Sequence, residues 1–342
     1  MNWGYTLLNG AIAFSLALIL SYLFGLIARR SSIVDAPDEA RKQQPVAIPR
    51  LGGVAFMLAI LVAGLTTIML IGGGFRPLSG SALGFTIVCF LVGLWDDIKP
   101  PPAKIKLLVL LIAAGIAAYL GLRPAALMSP FGDITSLGPI VIGSALWLLV
   151  FTNAANFMDG SNGLSIGSVA VMLAGLCAAM IGVEQSAVSL LPLHLVFTGA
   201  VAGFLIHNLR GKLYAGDAGA LGLGALFASL GLVSGLEVWT VATLALPFLI
   251  DVLMTLIWRA KHKRSWLEAH LDHAYQRLRK NGWSHLETAV LYWGLTATCA
   301  AAAVIAAKAG GEAPFIVFWT LCLAGIALWT AHRRSLSANE FQ

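Results

Sequence analysis

Gly93-Leu94-Trp95-Asp96-Asp97-Ile98-Lys99 closes one apolar run of membrane length, and after three prolines Lys104 and Lys106 open the next. Adjacent carboxylates at the end of one run and lysines at the start of the following one fix a charged cluster at a water–lipid boundary. Working outward, apolar runs of the length a spanning helix needs, roughly 20 residues, recur along the chain. They lie at about 5–26, 51–71, 80–95, 105–121, 138–153, 163–182, 189–208, 219–233, 237–258, 288–308 and 313–331. The expected fold is all-α, a polytopic integral membrane protein with about eleven transmembrane helices. Only residues 259–287 are long and polar enough to fold outside the bilayer, as a helical loop, so residues 1–342 are read as a single membrane domain.

Composition agrees. Of the 342 residues, 58% are hydrophobic and 11% charged, against about 25% charged in soluble domains, and the mean hydropathy is +0.84. Cys89, Cys177, Cys299 and Cys322 all lie inside apolar runs and read as small hydrophobes, not as a disulfide framework. The first run has no basic flank before it and no small-residue cleavage site after it, so it reads as a retained helix. Of the 22 Lys and Arg residues, only Arg76, Arg123 and Lys308 fall on the side opposite the first loop. The positive-inside rule then places the N-terminus in the periplasm and the C-terminus in the cytoplasm. The net charge of +6 is mostly this topological signal, and nucleic-acid binding is not called for.

The acids gather on the same face, although the rule makes no demand on them. Asp96 and Asp97 repel one another, so the pair calls for a nearby cation. A divalent metal or a proton-transfer role would use it, and a helix cap is the structural alternative. Lys106, at the start of the next helix, can reach back to a phosphate held between the two. The first loop carries Asp35, Arg41, Lys42 and Arg50, a mixture of signs that suits a phosphate contact as well as a positive-inside anchor. Asn153, Asn156, Asp159 and Asn162 stand at every third position, a spacing that lines one face wherever the helix continues. Asp217, between Gly216 and Gly219, stands at the start of a helix, where an N-cap is the ordinary reading. Asp251 lies about 10 Å below the boundary, and an acid at that depth needs a partner. On an expected helix over 264–277, His270, His273 and Arg277 share one side and present donors to phosphate. A zinc pair lacks a compact third ligand there, and a solvated surface helix is the other alternative.

These stretches, in this order and on one face, resemble the polyprenyl-phosphate N-acetylhexosamine-1-phosphate transferase family (glycosyltransferase family 4). The resemblance rests on Asp96-Asp97 with Lys106, the run from Asn153 to Gly160, and Gly216-Asp217-Ala218-Gly219. The stretch from Glu268 to Gln276 looks most like the WbpL-type branch that initiates O-antigen chains on lipopolysaccharide. Gln44 and Asn162 depart from the family's usual His and Asp, and the spacing from Asn208 to Tyr214 is one residue short.

The resemblance implies a bacterial inner-membrane enzyme with a cytoplasmic site. It would transfer N-acetylhexosamine 1-phosphate (N-acetylfucosamine, N-acetylquinovosamine or N-acetylglucosamine) from a UDP-sugar to undecaprenyl phosphate and release UMP. Magnesium is the implied cofactor, with manganese able to substitute, and a homodimer is an expected assembly. Carried over residue by residue, Asp217 is the metal ligand and Asp96, Asp97 and Asp159 are the catalytic carboxylates. Arg41, Lys42, Arg50, Lys106, Asn153, Asn156, Asn208, Tyr214, His270, His273 and Arg277 contact substrate, with Tyr214 stacking on uracil. The rival class is a secondary transporter, which buried Asp251 and the helix count would allow. Transporters, however, place charged sites near the midplane and show repeats, and no repeat is visible here.

Overall fold

The computed structural model describes residues 3–36, 46–71, 80–183, 191–266, 268 and 270–339. Chain order is α1 (Trp3–Ala28), β1 (Val34–Asp35), β2 (Ile48–Pro49), α2 (Gly52–Ile71), α3 (Gly80–Ile98), α4 (Ala103–Tyr119), α5 (Leu137–Phe157) and α6 (Leu164–Val183). There follow α7 (Leu191–Leu209), α8 (Gly216–Val233), α9 (Val238–Lys261), α10 (Ala274–Lys280), α11 (His285–Ala309) and α12 (Ala313–Asn339). The protein is all-α apart from the antiparallel pair β1–β2, which joins Val34 to Pro49 and Asp35 to Ile48 and so ties together the ends of the first loop.

Each of the eleven apolar runs forms a helix. Among the described residues ten are long and apolar enough to cross a membrane. The exception is α4, whose 17 residues span about 26 Å at 1.5 Å per residue. In the run Pro100-Pro101-Pro102 each proline disfavours the helical region for the residue before it, so the chain stays extended up to Pro102, at ψ 134°, and Gly121, at φ +111°, turns the chain beyond its end.

The bundle is organised around α8. Its membrane window is 78% buried, against 22% for α1 and 17% for α12. The cause is composition: Gly216, Ala218, Gly219, Ala220, Gly222, Gly224, Ala225 and Ala228 keep α8 thin enough for α3 and α5 to pack close on either side. Around this centre α1 packs on α7 and α2, α6 on α11, and α9 on α11 and α12. A Cβ at Gly93 would run into the backbone of Asp217, so glycine at that position is what lets the charged end of α3 meet the first turn of α8.

Three boundaries differ from expectation. α8 starts at Gly216, so Asp217 lies inside its first turn. α5 runs on to Phe157, which leaves Asn153 and Asn156 on the helix and Asp159 and Asn162 in the turn beyond it; the four do not share one helical face. The helix expected over 264–277 is confined to Ala274–Lys280. Upstream of it, Arg259 donates from Nε to the Ser265 carbonyl at 2.9 Å and also binds the Asp272 carboxylate, contacts that a helix through these two residues would not leave open.

Candidate active site

Consecutive residues on a helix point about 100° apart, so Asp96 and Asp97 at the end of α3 serve different neighbours. Asp97, 2% exposed, accepts from the Asp217 N–H at 3.0 Å and the Ala218 N–H at 2.9 Å, one on each carboxylate oxygen. It caps the orphan donors of α8 from another helix. Arg50 completes this joint: its Nε lies 3.7 Å from Asp97 Oδ1 and its guanidinium also donates to the Asp97 carbonyl. Gly216, at φ +69°, passes so close to the Arg50 carbonyl and the Asp97 carboxylate that no side chain fits there.

Asp96 turns the other way. Its Oδ1 is 3.5 Å from Lys106 Nζ, and the same ammonium hydrogen-bonds Asp217 Oδ2. Lys106 on α4 therefore bridges carboxylates from α3 and α8. The Asn156 side chain on α5 faces Asp217 as well. Half-buried Asp159 stands beyond the end of α5, and its carboxyl is pushed well above the ordinary range by burial and then by the negative charges of Asp217 and Asp97. Tyr214 is tied into the same corner by its backbone, donating to Pro49 O at 2.8 Å and accepting from Gly52 N at 2.9 Å. Burial, followed by the negative charges of Asp35 and Asp159, raises its phenol.

Five elements thus bring Arg50, Asp96, Asp97, Lys106, Asn156, Asp159 and Asp217 together. Asn208 and Asn153 are placed differently. Buried Asn208 accepts from Gly163 N–H at 2.7 Å and donates to Leu213 O at 3.3 Å, stapling the α5–α6 turn to the α7–α8 loop. Asn153 donates to Leu149 O one turn back at 2.8 Å. Arg41 and Lys42 fall outside the described residues.

His273 is the N-cap of α10 and His270 precedes the helix, so the shared helical side expected for His270, His273 and Arg277 does not exist. The two rings still lie 4.9 Å apart, and His273 stacks at 5.8 Å on Phe157 at the end of α5. Burial, the neighbouring His273 and the Arg259 charge push the His270 imidazole down to about 4. Buried Arg277 donates to the Arg333 carbonyl on α12 at 3.3 Å. Asp272, although burial alone would raise it, is held below the usual carboxylate range by the hydrogen bond and charge of Arg259. Arg259, Asp272 and Arg333 were not among the expected site residues, and no periodicity announces them. Their contacts join a helix end, an irregular segment and the last helix.

Among the described residues no three His, Cys, Asp or Glu side chains stand together as a metal cage. The donor set nonetheless suits a hard divalent cation. Asp96 and Asp217 converge on one positive group, and magnesium is commonly held by one or two carboxylates with substrate phosphate completing its shell. The carboxylates collect at one end of the bundle, which is not the midplane arrangement of a transporter.

The sequence profile of glycosyl transferase family 4 matches residues 79–235, a span that contains Asp96, Asp97, Lys106, Asp159 and Asp217 but ends before Asp251 and the α10 segment. A phospho-N-acetylmuramoyl-pentapeptide-transferase of Synechococcus sp. (strain JA-2-3B'a(2-13)) is 31% identical over 276 residues, covering 75% of this chain and 78% of the relative. A second, from Synechococcus sp. (strain JA-3-3Ab), is 28% identical over 316 residues, covering 84% of this chain and 89% of its own. A probable undecaprenyl-phosphate N-acetylglucosaminyl 1-phosphate transferase of Bacillus subtilis (strain 168) is 29% identical over 301 residues, with 82% of this chain and 80% of the relative covered.

Proposed function

Starting from this chain's membership of glycosyl transferase family 4, whose members among its relatives are sugar-phosphate transferases, we propose that it moves N-acetylhexosamine 1-phosphate from a UDP-sugar to undecaprenyl phosphate. A phosphate oxygen of the lipid attacks the β-phosphorus of the donor. The bond from that phosphorus to the oxygen bridging to the α-phosphate breaks, and UMP leaves with the bridging oxygen. The observation that carries the reading is Lys106 held between Asp96 and Asp217 at the head of the central helix. A cation among hard oxygens, at a boundary that a lipid phosphate and a soluble nucleotide both reach, is the arrangement in-line phosphoryl transfer needs.

Within this reading Asp96, half-buried on the bridge, orients the incoming lipid phosphate or takes its proton, and Lys106 binds phosphate oxygens. Asp97 acts by seating the first turn of α8. Asp159, with Asn156, lines the donor side, Tyr214 stacks on uracil, and Arg50, Arg41, Lys42, His270 and His273 supply donors and positive charge to the phosphates. Asp217, with Asp96, would hold magnesium or manganese, which when bound neutralises the diphosphate. The topology is that expected from the loop charges: periplasmic N-terminus, cytoplasmic C-terminus and site, in the bacterial inner membrane, as one domain and as a homodimer. The Glu268 to Gln276 stretch supports the O-antigen-initiating branch and hence a 6-deoxy N-acetylhexosamine donor.

The test is UMP release by the purified protein with magnesium and undecaprenyl phosphate. The panel is UDP-N-acetylglucosamine, UDP-N-acetylfucosamine, UDP-N-acetylquinovosamine and UDP-N-acetylmuramoyl-pentapeptide. Lipid-dependent UMP from one donor is expected. No UMP from any donor refutes the transferase, and preference for the pentapeptide donor refutes the branch alone.

A further inference from the structure

A second polar assembly is buried between α9, α10 and α11. Asp251 on α9 is 2% exposed, and an ionisable side chain inside a membrane-length helix is retained where it has partners. Its Oδ1 accepts from Ala274 N at 2.7 Å and Thr255 Oγ1 at 3.3 Å, and lies 3.6 Å from His273 Nδ1. Its Oδ2 accepts from Tyr292 Oη at 2.6 Å and Tyr275 N at 3.3 Å. Capping α10 would require only the two backbone N–H groups; Tyr292 and His273 are additional.

What Asp251 grips leads to the carboxylate centre by two routes. The His273 ring stacks on Phe157, with the planes 28° apart. Tyr275, whose backbone is on Asp251, donates its hydroxyl to the Phe157 carbonyl at 2.9 Å. Phe157 is the last residue of α5, and the residue before it, Asn156, faces Asp217.

We propose that Asp251 is a positioning residue for the transfer site: through His273 and Tyr275 it fixes the end of α5, and so Asn156 against Asp217, and it sets the placement of the His273–His270 pair. This inference rests on the transferase reading above for its effect on turnover, but not for the geometry it asserts. Asp251 touches no reacting atom. A carboxylate facing one ring nitrogen sets the orientation of an imidazole and which nitrogen is turned to a ligand, and here the same carboxylate also sets where the ring's helix begins.

The experiment compares the full-length protein with Asp251→Asn and the milder Tyr292→Phe in lipid nanodiscs. Carbethoxylation by diethyl pyrocarbonate is followed residue by residue by peptide mass spectrometry. Exposed His262 calibrates the reagent, and His207, buried on α7 away from this assembly, reports global loosening. Asp251→Asn is expected to raise the His273 labelling rate at least about fivefold, because it removes the negative charge 3.6 Å from His273 Nδ1 and weakens the seat of the α10 N-terminus that carries the ring, while His207 stays protected; Tyr292→Phe shifts His273 the same way by less. For UMP release, kcat falls by about tenfold with KM for the UDP-sugar nearly unchanged, the pattern of a lost transition-state alignment. Unchanged His273 protection in both variants overturns the proposal, as does a parallel rise at His207, which would make Asp251 a residue of general stability. If the wild type releases no UMP from any donor, the transferase reading fails, and the labelling still decides whether Asp251 holds His273.

Discussion

Replacing Asp97 by Asn tests whether this carboxylate acts by holding α8 or by direct chemistry. In the native protein each of its oxygens accepts one N–H of the α8 first turn, and Arg50 stands beside it. Asn keeps the shape and one acceptor oxygen but turns an NH2 toward the other N–H and removes the charge facing Arg50. One buried donor is left without an acceptor and the remaining bond is no longer charge-assisted, a loss of about 2–3 kcal/mol. If that loss falls on the seated arrangement of Asp217, at 1.36 kcal/mol per factor of ten, turnover drops roughly 30- to 160-fold. Lipid-dependent UMP release at saturating UDP-sugar reads kcat, and thermal unfolding in the same detergent reads stability; the two are expected to fall together. A variant within threefold of wild type in kcat would refute the seating argument. So would a loss beyond about ten-thousandfold with unchanged unfolding, the signature of a group removed from the reaction itself.

Three further outcomes follow from the site. Asp217→Asn removes the carboxylate shared by Lys106 and Asn156 and is expected to abolish UMP release at unchanged expression; near-normal turnover would take Asp217 out of the metal role. Chelation of divalent ions is expected to stop UMP release reversibly, with magnesium or manganese restoring it, and chelator-resistant turnover would contradict the hard-oxygen reading of the site. His270, pushed from 6.5 to about 4, stays neutral in the folded protein where the unfolded chain takes up a proton. It therefore contributes stability present above pH 6.5 and lost as pH falls through that window. In His270→Gln the slope of unfolding midpoint against pH should flatten between about pH 6.5 and 4, and an unchanged slope would show that His270 is not the group responsible.

The large features were legible because they are local or compositional. A run of apolar residues can be counted, and Asp96-Asp97 before three prolines marks a helix end whatever packs against it. Asp251 was recognisable as an acid in need of a partner, since depth alone creates that need; which partner it has depends on α10 and α11 folding back, and no spacing encodes that. The helix expected over 264–277 failed for the same reason. Its His and Arg periodicity was real, but Arg259 captures the Ser265 carbonyl and the Asp272 carboxylate before that stretch can coil. Asn208 shows the converse limit: an amide at a helix end beside a glycine-bearing loop invites a ligand, yet both ends of this one are spent on the backbone of two neighbouring turns.

The joint between Asp97 and the first turn of α8 also bears on how the protein is made. Its two sides are 120 positions apart in the chain, and at 5–20 residues per second that is about 6 to 24 seconds of synthesis. Throughout that interval α3 has left the ribosome with a carboxylate that has only Arg50 for company, while α4 to α7 are still arriving. The central helix enters the bundle late, into a slot its neighbours must keep open, and its arrival gives the waiting carboxylate two N–H donors and assembles the site in one event. Transfer activity in a nascent or truncated chain therefore reports whether α8 has docked, and a chain stopped after α7 would have six of the seven residues gathered at the site and no site.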